Sequence, residues 1–220
     1  MAIVFGGQSE YKEDMQTEIL AINDPQALAT ALKILTEGGL VAFPTDTVYV
    51  LGALVFDEQA VSRISEVKGR EMTKAITVLI GEDEQLGQVA AGVSAQCAKL
   101  VRRFWPGPLT VVLPRQAAIP EAVTPLETVG VRLPDFAPTL ELLKLTGPLA
   151  VTSANLAGRS SSSTARGVEA QLRGKIPLIL DGGVTPGGMP STIVACEGAK
   201  PVILREGPIS LEQILNTLAE

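Results

Sequence analysis

The chain has 220 residues, 46 % of them hydrophobic, enough for one large domain or two small ones to bury a core without disulfides or a structural metal. A formal net charge of −6 weighs against broad adhesion to nucleic acid or anionic membrane. Histidine is absent, which removes Ser-His and Cys-His nucleophilic sites, histidine acid–base catalysis and ordinary His-ligated zinc.

The opening run MAIVFGGQSEYKEDMQTE turns polar too quickly for a signal peptide, and residues 1–22 read as an N-terminal extension. No uncharged apolar run approaches the roughly 18 residues of a membrane helix. Cys97 and Cys196 stand far apart and outside any paired motif, as reduced, buried thiols do. The expectation is a soluble cytoplasmic protein without membrane contact.

Asp24 suits a helix N-cap with Pro25 in the first turn, an apolar side of Leu28, Ala31, Leu32 and Leu35, and a stop at Gly38. Leu40 to Phe43 reads as a buried strand that Pro44 ends by removing a backbone donor. Thr45, Asp46 and Thr47 follow, beyond the carboxyl end of a strand, where α/β proteins gather ligands. The same residues also suit an ordinary turn that caps a neighbouring element. Asp57 opens a second helix with Val61, Ile64 and Val67 on one face, closing on Lys68, Gly69 and Arg70. Those cations are either partners of the helix dipole or a phosphate clamp.

A strand is predicted over Ile76 to Ile80 and a helix from Ser94 to about Phe104. Trp105 then sits in a turn made rigid by Pro106 and Pro108 around Gly107. Further short strands are predicted at Leu109 to Leu113, Val129 to Leu133, Leu149 to Thr152, Pro177 to Leu180, Thr192 to Ala195 and Val202 to Leu204. Gly130 inside its strand marks a close approach, and Arg132 beside it needs a counter-anion or solvent. Thr152, Ser153 and Asn155 end another strand, and Arg159 to Thr164 (RSSSST) is a flexible loop. Asp181 to Gly183 and Pro186 to Gly188 are glycine-rich but lack the Gly-Lys-Ser/Thr ending of a P-loop. Ser210 and Gln213 have capping-box spacing at the start of a last helix, residues 209–220, packed on the domain of residues 23–208. With no internal repeat, the alternation predicts an α/β fold: one domain with a twisted mixed sheet flanked by helices.

In this order the segments FPTDTVY, KGR, FWPGPLT, VRLPD, TSANLAG, PSTIV and ILREG resemble the YrdC-like family of threonylcarbamoyl-AMP synthases, from about Gln26 to Gly207. The resemblance implies a sheet with a large concave ligand cavity. It also implies an enzyme, a nucleotidyltransferase that makes L-threonylcarbamoyladenylate and pyrophosphate from L-threonine, bicarbonate or carbon dioxide, and ATP. The product would feed threonylcarbamoyladenosine formation in tRNA through a downstream transferase machinery, with only weak direct RNA binding. The family's signature tetrad falls on Lys68, Arg70, Ser153 and Asn155. Its threonine-site positions fall on Thr45, Arg132, Val151 and Ser191, and its nucleotide-site positions on Lys68, Thr128, Ser153, Ser161 and Arg205. A magnesium ion would accompany ATP, with no protein side chain as its ligand. The chain departs from the family pattern at Val50, where glycine is usual, at Glu71 and Phe136, and mildly at Ala157. A β-branched Val50 disfavours a positive φ there, and Glu71 adds an anion beside the clamp. Two other readings stay open: a paralogue acting on a different carbamoyl or acyl adenylate, and a non-catalytic RNA-binding module.

Overall fold

The protein, a computed structural model, is described over residues 15–196 and 200–220. Its elements begin with β1 (Glu18–Ala21), α1 (Pro25–Thr36), β2 (Val41–Phe43), β3 (Val50–Leu54), α2 (Glu58–Lys68) and β4 (Thr77–Leu79). A 3₁₀ turn at Asp83–Gln85, the single-turn α3 (Leu86–Val89), α4 (Ala95–Phe104), β5 (Leu109–Pro114) and β6 (Thr128–Arg132) follow. The rest comprises α5 (Ala137–Thr146), β7 (Leu149–Ser153), α6 (Ala165–Leu172), β8 (Leu178–Asp181), β9 (Thr192–Ala195), β10 (Val202–Arg205) and α7 (Leu211–Ala219).

The caps behave as their residue types dictate. The carboxylates of Asp24 and Asp57 accept the amides of Gln26 and Ala60, and α2 stops on Gly69 at φ 62°, ψ 38°. At the far end Ser210 and Gln213 complete a reciprocal capping box on α7.

The ten strands among the described residues form one mixed sheet in the order β1-β8-β2-β3-β7-β4-β6-β5-β9-β10. The pairs β1–β8, β8–β2, β4–β6 and β5–β9 are parallel and the other five antiparallel. One face carries Leu51, Ala53, Val78, Val131, Val129, Leu109 and Val111 into a large core with Val61 and Ile64 of α2, Leu100 of α4 and Ile214 of α7. The other face carries Val41, Phe43, Val50, Val151 and Leu79 into a second core with Ala27, Ala31 and Leu35 of α1 and Leu142 and Leu143 of α5. This second core stops at β4. Farther along, the same face presents Gly130 and Arg132 of β6, Thr110 of β5 and Ile193 of β9, as the pairings Leu79–Arg132 and Thr110–Ile193 require. The cleft described below lies there.

The mixed sheet and flanking helices agree with the expected fold class, and most expected elements fall within two residues of the observed ones. Of the expected extension, residues 1–14 lie outside the described residues, while Glu18–Ala21 pairs with β8 as an edge strand of the sheet. β3 was hidden because it is buried on both faces and has Gly52 at its centre, so it shows no alternation. α5 begins at Phe136, which makes no capping bond, so the usual start signal is missing. α6 is capped by Thr164, the last residue of the serine run that reads as loop. Cys97 of α4 and Cys196 after β9, distant in sequence, meet in the large core without forming a disulfide. Hydrogen bonding to Cys97, with burial, pushes the Cys196 thiol up.

Candidate functional site

Between β2 and β3 the chain makes a loop whose hydroxyls are fully internal. Thr45 Oγ1 donates to the Val48 carbonyl at 2.8 Å and lies 2.9 Å from Thr47 Oγ1, which therefore donates to it. Thr47 Oγ1 in turn accepts Arg132 Nη1 at 2.9 Å. Arg132 also donates Nε to the Gly107 carbonyl at 2.9 Å and Nη2 to the Asp46 carboxylate, which accepts the Asp135 amide at 3.1 Å as well. At 3 % exposure the guanidinium is pushed below its ordinary pKa by desolvation, and Asp46 opposes the shift. Three of its five N–H donors are taken, so two are left for a ligand.

The opposite wall comes from the end of α2. Arg70 emerges after left-handed Gly69 and donates to Thr152 Oγ1 at 3.3 Å and to the carbonyls of Lys74 and Ala75. Its Nε has no partner among the described residues. Lys68, 5 % exposed, donates Nζ to the carbonyls of Ser153 and Asn155. Burial, with a smaller push from the charge of Arg70, brings Lys68 down to about 8. Asn155 donates Nδ2 to the carbonyls of Leu156 and Arg159, each at 2.8 Å, and its buried Oδ1 has no partner among the described residues. The same contacts, with Gln171 Nε2 on Ser160 and Ser162, tie down the serine-rich loop.

β9 and β10 supply the third wall. Arg205 donates Nε and Nη2 to the Ser191 carbonyl at 3.0 and 2.8 Å, and Nη2 to Ser191 Oγ at 3.0 Å. Ser191 Oγ is also 2.8 Å from Thr110 Oγ1. The glycine-rich segments serve these loops by close packing. A β-carbon on Gly187 would stand 2.6 Å from the Asp46 carbonyl oxygen, and one on Gly207 2.3 Å from the Thr192 nitrogen. Tyr49 binds the first glycine segment, donating to the Gly183 carbonyl and accepting the Gly182 amide, and burial pushes its phenol up to about 12.

These walls enclose a cleft of about 150 Å³. Its polar lining is Arg70, Arg132, Arg205, Thr47, Thr77, Thr152, Ser153 and Ser191, and its apolar lining includes Val50, Leu79, Val151 and Ile193. Among the described residues no carboxylate is in the lining, so an acidic protein presents a cationic cleft suited to a polyanion with a small, part-apolar attachment.

Of the residues singled out in the sequence, Arg70, Arg132, Val151, Ser153, Ser191 and Arg205 line this cleft. Lys68 and Asn155 lie behind Ser153, joined through its carbonyl and their own bond. Thr45 lies behind Thr47. Thr128 is on the same face of β6 as Gly130 but faces Pro114 at the far end of the strand, and Ser161 lies in the loop before α6; neither lines the cleft. Sequence reasoning placed Asp46 and Thr47 at a strand end where ligands gather without giving either a site, and it assigned no role to Thr77 or Thr110. Asp46 and Thr47 had a signal, since Arg132 required an anion and three polar groups in a row stood at a strand end. The departures are also accommodated. Val50 sits in extended β3 opposite Ser153, Glu71 turns outward to Lys74 at 3.6 Å, and Phe136 packs on the second core.

The profile of the Sua5–YciO–YrdC family, described as telomere recombination, matches residues 33–207. The threonylcarbamoyl-AMP synthase of Pyrococcus abyssi is 43 % identical over 192 residues, covering 86 % of this chain and 56 % of that protein. The threonylcarbamoyl-AMP synthase of Bacillus subtilis is 42 % identical over 201 residues, covering 90 % and 58 %. The chain thus spans little more than half the length of these two relatives. The crystal structure of P. abyssi Sua5 complexed with L-threonine is similar at a TM-score of 0.87 and 40 % identity, covering 91 % of this chain and 60 % of that one.

Proposed function

The chain belongs to the Sua5–YciO–YrdC family, and from that premise we propose that it is an L-threonylcarbamoyladenylate synthase. The observation that carries the reading is the cleft, to which the described residues bring three guanidinium groups and no carboxylate. Its substrates would be L-threonine, bicarbonate or carbon dioxide, and ATP; its products the adenylate and pyrophosphate. Residues 23–208, with edge strand β1, would form the catalytic domain and α7 its C-terminal support.

The chemistry requires no histidine. The neutral amine of threonine attacks carbon dioxide, forming the N–C bond as one C–O π pair moves onto oxygen, and the nitrogen then loses a proton to solvent to leave a carbamate. A carbamate oxygen then attacks the α-phosphorus of ATP as the bond from that phosphorus to the bridging oxygen breaks, and the electron pair leaves with pyrophosphate. The protein's work is alignment and charge stabilisation. In this proposal the spare donors of Arg132 take the threonine carboxylate, with Thr45 fixing Thr47 behind it, while Val151 and Ser191 meet the amino-acid side chain. Arg70, Arg205 and Lys68 offset the triphosphate charge, and Ser153 and Asn155 hold the rim of the nucleotide site. Thr128 and Ser161 would meet the nucleotide only outside the cleft proper.

Magnesium enters only as the companion of the triphosphate. Among the described residues no acidic, cysteine or histidine group clusters as metal ligands, and Asp46 is committed to Arg132. The adenylate would pass to a separate tRNA-modifying transferase, with only weak direct RNA binding by this chain. Among the described residues no helix is long and apolar enough to cross a membrane.

The test is pyrophosphate release from ATP with threonine and bicarbonate each omitted in turn, and the adenylate followed by mass spectrometry. Release is expected to need both, and to fall at least about a hundredfold in Lys68→Ala and Arg132→Ala, the scale of losing a charge-stabilising donor. ATP binding without threonine-dependent release would overturn the reading in favour of a paralogue acting on another adenylate.

A further inference from the structure

Thr110 lies wholly inside the protein on β5, opposite Ile193 of β9. Its methyl group faces Gly130, where a β-carbon would come within 3.1 Å of Cγ2, so the absent side chain leaves room for this rotamer. Its hydroxyl faces Ser191 Oγ at 2.8 Å. Ser191 Oγ is shared with Arg205 Nη2 at 3.0 Å, and a guanidinium only donates. One lone pair of Ser191 is therefore already filled.

The remaining hydrogen could run either way between the two hydroxyls. If Ser191 donated to Thr110, the Thr110 proton would be left in a fully buried place with no acceptor among the described residues. If Thr110 donates, its buried proton is satisfied: Ser191 accepts from Thr110 and from Arg205, and the Ser191 proton is left over. Ser191 lines the cleft, so that proton is the one available to a ligand. We propose that Thr110 is a positioning residue that turns Ser191 into an obligate donor, so that the cleft selects an amino acid with a hydrogen-bond acceptor on its side chain. Ile193, Leu79 and Val151 surround the same cleft with apolar surface, which suits a side chain carrying both a hydroxyl and a methyl group. A branched hydrocarbon of the same shape would leave the Ser191 proton unpaired, the situation in which a site built for a hydroxyl discriminates most strongly.

This inference rests on the synthase reading above, and the experiment separates the two. Steady-state pyrophosphate release is measured with L-threonine and with L-valine, its isostere without the hydroxyl, for the wild type, Thr110→Val and Thr110→Ser. Thr110→Val keeps the shape and removes the donor. KM for threonine is expected to rise about three- to tenfold, the worth of one neutral hydrogen bond, with kcat within about twofold. The preference for threonine over valine is expected to fall by a similar factor, and Thr110→Ser to restore both. A wild type without threonine dependence sinks the synthase reading itself. A threonine-dependent wild type whose KM and threonine preference survive in Thr110→Val overturns the role of Thr110. So does a Thr110→Val defect confined to kcat, or one that Thr110→Ser fails to repair. Direct threonine binding by calorimetry to the two variants gives the same answer if turnover is too slow to measure.

Discussion

Lys68 shows how the fold sets the chemistry of a single side chain. Closing α2 against the end of β7 puts its ammonium group among backbone carbonyls, where burial brings it down to about 8 from an ordinary 10.5. Below pH 8 native and unfolded chains both hold the proton. Between about 8 and 10.5 the unfolded chain holds a proton that the native one has lost, so this group makes stability rise with pH. Urea unfolding at pH 8 and pH 10 should show that rise in the wild type and a smaller one in Lys68→Met; identical slopes would mean Lys68 titrates normally. Arg132 and Asp46 make a second case, both nearly inaccessible and bonded across 86 residues. Asp46→Asn leaves a buried guanidinium without its counter-charge and should cost about 3–5 kcal/mol in denaturant unfolding. A loss under about 1 kcal/mol would show that Thr47 and the Gly107 carbonyl suffice. The need of Arg132 for an anion was legible in its apolar neighbours. Which anion answered it was not, because only the loop between β2 and β3 brings Asp46 to it.

Secondary-structure elements were legible wherever a side chain announces a boundary. Asp24, Asp57, Ser94 and Ser210 mark four helix starts, and each accepts the expected amide. Where no cap bond is made, as at Phe136, the helix passed unseen, and a strand buried on both faces gave no period to read. The glycine-rich segments could be recognised as turns but not as spacers, since the backbone they approach belongs to distant residues. Gly207 is the sharpest example, because the three atoms nearest its missing side chain are main chain of Thr192, Ser191 and Pro190. Gly207→Ala should therefore cost about 1–3 kcal/mol and loosen the hold of Arg205 on Ser191, since main chain has no rotamer to give. Thermal unfolding together with a nucleotide titration would check both parts; a variant with wild-type midpoint and affinity would show that β10 can shift without harm.

The whole sheet was legible as a class and illegible as an order. Local pattern says that short strands alternate with helices, but it carries no information on which strands become neighbours. The candidate site depends on that order, because residues 47, 70, 132, 153, 191 and 205 converge only once β7, β4, β6, β5 and β9 lie side by side. A ligand bridging these walls binds the native state alone. ATP at about a hundred times its dissociation constant should thus stabilise the protein by about 2.7 kcal/mol, and no rise in the unfolding midpoint would place its site elsewhere.

β8 holds a further consequence. It lies between β1 and β2, parallel to both, although it is made some 135 residues after β2. While the protein is being synthesised, β2 can pair with β3, but its other edge and the whole of β1 must wait for residues 178–181. At ordinary elongation rates that wait is on the order of ten seconds, during which an apolar strand edge stands open to any other chain. The nascent protein is therefore most exposed to aggregation until residues 178–181 have been made, and newborn chains, more than folded ones, should be the clients of chaperones that shield unpaired strands.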